Sequence, residues 1–101
     1  LINYDVKIID LIESGLLKPG AELIHSYKPR NGKRRKDLVT VKTDGKLEVL
    51  EETFSSPSYA ALRCINAAGS ARKTVNGWTS LKTKSGKTLA QLRLKYLESR
   101  K

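Results

Sequence analysis

A chain of 101 residues holds one domain with one core and has no room for a second. With 39% apolar and 30% charged residues it stands clear of the disordered class and is expected to fold. Its 20 basic and 10 acidic residues leave a net charge of +10, and no apolar run nears the roughly 18–20 residues of a membrane span, so a polyanion is the expected partner and a membrane is not.

From Asp5 to Ser14, Val6, Ile8, Ile9, Leu11 and Ile12 recur at helical spacing, with Asn3 or Asp5 as N-cap and Gly15 as the stop. Residues 17–20, LKPG, form a turn. AELIHSY reads as a strand, and His25 within it has no Ser, Asp or Cys at triad-like spacing, so it is expected to be a strand residue without a partner. After a basic loop, residues 38–42 (LVTVK) alternate as a second strand. Asp44-Gly45 then turns the chain into a third, residues 46–50 (KLEVL). The stretch FSSPSYAALRCINAAG opens a helix with Ser56 as N-cap and Pro57 at the first helical position, carries Ala61, Leu62, Ile65 and Ala68, and ends at Gly69.

Cys64 inside that apolar run is expected in the core. One cysteine makes no internal disulfide, and with a single histidine it makes no metal site. The loop SARKTVNG leads to WTSLKTK, read as a further strand, and a last helix from about Thr88 carries Leu89, Leu92, Leu94, Tyr96 and Leu97. The order α-β-β-β-α-β-α predicts an α+β domain, a small antiparallel sheet of about four strands with three helices. A first residue of Leu1 and the lack of any methionine make residues 1–101 read as a single domain excised from a larger protein.

The charge is segregated. Residues 28–36, KPRNGKRRK, carry Lys28, Arg30, Lys33, Arg34, Arg35 and Lys36 and no acid. From Thr53 to Leu97 there is no Asp or Glu, while Arg63, Arg72, Lys73, Lys82, Lys84, Lys87, Arg93 and Lys95 are all basic. Such an arrangement either focuses a positive field that favours phosphate polyanions through counterion release or serves as a solubilising face; the segregation favours the first.

Three clusters could contact a nucleic acid. Arg30, Lys33, Arg34, Arg35 and Lys36, with Gly32 among them, suit a loop that grips the backbone or enters a minor groove, and KRRK doubles as a nuclear-localisation signal. Ser55, Ser56 and Ser58 stand where a helix start could hold a phosphate, although ordinary capping accounts for Ser56 equally well. Asn76-Gly77-Trp78 could stack on a base and pair with adenine, against a plain turn and a core tryptophan; Arg72 and Lys73 nearby favour phosphate contact. No carboxylate set shows general-acid or metal logic, so neither an enzyme nor a cofactor is expected.

The blocks LIESGLLKPG, a hairpin with DGKL, FSSPSYAA, NGW and GKTLAQLRLKYL, in that order, give a pattern that resembles the RAMA domain, associated with restriction enzymes and adenine methylases. The resemblance runs from about Ile8 to Leu97. It implies a DNA-associated accessory domain, whose relatives include proteins proposed to recognise N6-methyladenine. Many of those relatives carry a second aromatic two residues after the tryptophan, where this chain continues with Thr79, Ser80 and Leu81.

The expectation is therefore a non-catalytic module that binds double-stranded DNA, in the nucleus of a eukaryotic parent or the cytoplasm of a bacterial restriction-modification protein. The alternative is an interaction module for an acidic protein partner. RNA is less well served, because only six aromatics and no paired stacking motif are present.

Overall fold

In the computed structural model, residues 6–29 and 32–99 are described. Helix α1 (Ile8–Glu13) is shorter than its apolar spacing suggested, because it starts only after Lys7, whose extended backbone N–H donates to the Asp10 carboxylate at 2.8 Å. Asn3 and Asp5, the expected caps, lie outside the described residues.

Strands β1 (Glu22–Tyr27) and β2 (Arg35–Val41) pair antiparallel along their length, from Glu22 opposite Thr40 to Tyr27 opposite Arg35. The basic residues Arg35 and Lys36, expected in the loop, belong to the second strand. The Asp-Gly turn forms as expected: Gly45 has φ of 87°, Asp44 Oδ1 accepts from the Lys46 N–H at 3.0 Å, and Lys42 and Lys46 close the ladder. Beyond it lie β3 (Leu47–Val49) and a strand the pattern did not signal, β4 (Glu52–Phe54). Leu50 and Glu51 join the two with φ of 52° and 65°, the left-handed pair a two-residue hairpin needs, but without the Asn or Gly that usually advertises it.

Helix α2 (Pro57–Ala67) starts as the sequence implied, with Ser56 Oγ accepting from the Ser58 N–H at 3.2 Å. WTSLKTK is corrected: its first residues form a short helix, α3 (Gly77–Ser80), and only Leu81–Lys82 remain as β5. That strand pairs with β1 at Ile24 and His25, completing an antiparallel sheet of order β4-β3-β2-β1-β5. Helix α4 (Leu89–Ser99) follows Thr88, whose Oγ1 accepts from the Gln91 N–H while Gln91 Oε1 accepts from the Thr88 N–H, a reciprocal cap. The described residues thus form an α+β domain of five strands and four helices, and none of its helices is long and apolar enough to cross a membrane.

Strand alternation gives the sheet one buried face. Leu23, His25, Val39, Val41, Leu47, Val49 and Leu81 lie on it, in one core with Ala60, Ala61 and Cys64 of α2, Leu11 of α1 and Leu89 and Leu92 of α4. The other face carries Ile24, Lys36, Leu38 and Thr40, with Leu38 52% exposed.

His25 is 2% exposed, sits opposite Asp37 and Leu81, and its Nδ1 has no hydrogen-bond partner among the described residues. Burial lowers its pKa below the ordinary 6.5, with the Asp37 charge opposing in part. An unfolded chain therefore takes up a proton at His25 before the folded one does, and stability attributable to this residue is lost as pH falls below 6.5. A His25→Phe variant should show a shallower loss of urea-midpoint stability across that range; an unchanged pH profile would contradict the assignment. Burial likewise pushes the Cys64 thiol up to about 12, so alkylation at neutral pH should report only unfolding. Because exposed Glu51 holds a positive φ that costs an L-residue roughly 1 kcal/mol, Glu51→Gly should stabilise the domain by up to about 1 kcal/mol in urea titration.

Candidate nucleic-acid interface

Helix α2 separates the candidate residues into two groups. At its C-terminal end, the Arg35 guanidinium donates through Nε to both Asp37 oxygens, at 3.0 and 3.2 Å, and through Nη1 to the Ala67 carbonyl at 3.2 Å. A cation there complements both the unpaired carbonyls and the negative pole of the helix. This contact ties the start of β2, and with it the basic segment 32–34 before it, to the end of α2. Arg34 Nη1 donates to Ser26 Oγ at 2.9 Å.

The loop after α2 is fastened at the same end. Asn66 Nδ2 donates to the Ser70 and Arg72 carbonyls, both at 3.0 Å, and the Arg72 N–H donates to Ser70 Oγ at 3.1 Å. Lys28, Lys33, Arg72 and, next to it, Lys73 are therefore gathered near one end of one helix, while Lys36 follows Arg35 on the far face of the sheet; all five are exposed. Arg30 lies outside the described residues.

Ion pairing leaves this group positive. Asp37 is engaged by Arg35, Glu52 by Arg63, Glu48 by Lys42 and Glu22 by Lys84. Among the described residues, Lys28, Lys33, Lys36, Arg72 and Lys73 make no ion pair, so their charge is left to the solvent or to a ligand.

The N-terminal end of α2 holds the second group. Ser58 Oγ accepts from the Gly77 N–H at 3.1 Å, and Asn76 Oδ1 caps α3 by accepting from the Trp78 N–H at 3.0 Å. Gly77 is so close to α2 that a Cβ would stand 2.1 Å from the Pro57 carbonyl carbon and oxygen. Ser58 and Gly77 thus hold α3 against α2 while Asn76 caps it, a packing duty where the sequence offered a plain turn as the rival to base contact.

Trp78 is half-buried, with the Arg93 guanidinium 4.7 Å from its ring centroid. Together with Ser55, Ser56, Pro57, Lys7 and Lys46 it lines a cleft of about 440 Å³. The cleft lies at the N-terminal end of α2 and the basic group toward its C-terminal end, and eleven residues at about 1.5 Å each make that helix about 16 Å long. Arg72, near Trp78 in sequence, is anchored toward the far end by Asn66.

Four lysines take on a place that their sequence positions do not suggest. Lys7 and Lys46 border the cleft, brought there by the β2–β3 turn packing on the start of α1. Lys82 and Lys84 line a groove of about 350 Å³ with Ile24, Ser26 and Arg34, a juxtaposition created by the β1–β5 pairing. Charge counting registers these residues but carries no register.

Gly77→Ala should destabilise the domain by about 3 kcal/mol through overpacking, whereas Asn76→Ala should cost about 1 kcal/mol through removal of the cap. Urea denaturation monitored by Trp78 fluorescence measures both, and a Gly77→Ala variant as stable as the parent would refute the close α2–α3 approach.

No curated protein matches the chain. The model of the family described as Restriction Enzyme Adenine Methylase Associated matches residues 3–101, nearly the whole sequence and every element described above. The chain belongs to the RAMA family, whose name ties it to adenine methylases of restriction-modification systems.

Proposed function

We propose that this domain is a non-catalytic DNA-binding module that tethers or orients a DNA-modification or chromatin protein on its duplex. The observation that carries this reading is the group of exposed cations without ion-pair partners among the described residues at the C-terminal end of α2: Lys28, Lys33, Arg72 and Lys73. Two loops distant in sequence meet there, and the acidic residues of the adjoining sheet are already paired. Phosphates are the natural counter-charge, and their neutralisation releases condensed counterions.

The association with adenine methylases supports a finer version, in which the Trp78 cleft receives or senses the base N6-methyladenine. The cleft and the cations stand toward opposite ends of α2, whose length of about 16 Å matches roughly five base-pair steps, so one duplex could engage both. Such a module works where its DNA is, in the nucleus of a eukaryotic parent or the cytoplasm of a bacterial one.

Anisotropy titration of duplex DNA at about 50 and 200 mM salt tests the grip, because phosphate-driven binding falls steeply over that range. Replacing both Lys33 and Arg72 by Ala should weaken binding to all sequences alike and reduce the salt slope by about 0.9 for each phosphate that is no longer neutralised. An unchanged slope would remove these residues from the interface. A preference for the methylated duplex that persists at the higher salt, and that quenches Trp78, supports the base-sensing cleft; equal affinity for both duplexes reduces the domain to a general tether.

A further inference from the structure

Among the described residues, the face of the sheet turned away from the core is exposed or half-exposed, and strand register arranges its side chains in rows. Ser26 and Lys36 stand opposite one another, joined by Arg34 through its bond to Ser26. The next row is Lys82, Ile24 and Leu38, and the third is Glu22, Thr40 and Glu48. Leu38 is 52% exposed in the middle of a strand, beside half-buried Ile24. Glu22 and Glu48 are neutralised by Lys84 and Lys42. Among the described residues, Arg34, Lys36 and Lys82 have no carboxylate partner.

The combination discriminates between ligands. A phosphate backbone would satisfy the cations but leave Leu38 and Ile24 facing water. Base stacking needs aromatics, and β1 and β2 contribute none to this face: Tyr27 pairs with Arg35 and so alternates onto the opposite side. A polypeptide carrying both carboxylates and an apolar side chain satisfies every feature of the two basic rows.

We propose that this face docks an acidic, extended segment of a partner protein, with one apolar side chain on Leu38 and Ile24 and carboxylates directed at Arg34, Lys36 and Lys82. The groove between Ser26 and Ser80 gives the segment a wall. This site is separate from the Trp78 cleft, while Arg34 and Lys36 border both this face and the basic loop, so partner and DNA compete for them.

The test uses the intact domain and three labelled probes in anisotropy titrations: a short peptide alternating glutamate and valine, an all-glutamate peptide of equal charge, and a DNA duplex. The mixed peptide binds more tightly than the all-glutamate one; Leu38→Thr weakens the mixed peptide by roughly tenfold and leaves DNA affinity unchanged. Threonine suits an exposed strand position, so the variant folds, and Lys82→Gln provides a second variant that also selectively weakens the peptide. The proposal is overturned if the mixed peptide fails to bind, if both peptides bind alike, or if neither substitution affects it. Equal losses of DNA and peptide binding would overturn it too, by making the face part of the DNA surface.

Discussion

The interaction on which the arrangement of this domain turns is the Arg35 guanidinium, held between the Asp37 carboxylate and the Ala67 carbonyl. Asp37 is nearly buried, with its side chain 10% exposed, so its charge requires a fixed partner, and Arg35 provides one with two hydrogen bonds. The same guanidinium satisfies a carbonyl at the end of α2. Through this bridge the basic segment 32–34 before β2 is brought to the place where Asn66 already holds the loop after α2. Arg35 thus organises the charged surface and is itself partly engaged by the fold, unlike the exposed lysines around it.

At the opposite end of α2 the governing constraint is steric. Gly77 permits α3 to touch the Pro57 backbone, and the Ser58 hydroxyl accepts from the N–H that this approach brings within reach. Trp78 is consequently placed at the rim of a cleft rather than within the centre of the core, with Arg93 against its ring. One rigid helix therefore carries two chemically different ends, a cationic one made by loops and an aromatic one made by close packing. The length of α2 keeps the two ends apart.

Much of this is readable from the residues because local chemistry decides it. Ser56-Pro57 announces the start of α2, Asp44-Gly45 announces its hairpin, and the alternation through Val39 and Val41 announces a half-buried strand. Strand β4 is hidden because Leu50 and Glu51 take left-handed conformations without the residue types that favour them, the surrounding hairpin outweighing their local preference. The α3 helix is hidden because four residues carry too little periodicity, and its stability comes from the Asn76 cap and the packing on α2. For the candidate interface, composition identifies the basic runs and the tryptophan, but which residues face one another depends on the β1–β5 register and on long-range bonds from Arg35 and Ser58. No local pattern encodes those.

The central claim is that DNA engages the cations at the C-terminal end of α2. Its most direct test is amide chemical-shift mapping of the isotope-labelled domain on addition of a duplex at moderate salt. The largest changes are expected in residues 32–36 and 70–73, diminishing toward β3 and β4. Changes confined to the Trp78 cleft or to the β3–β4 edge, with both basic loops unmoved, would contradict it.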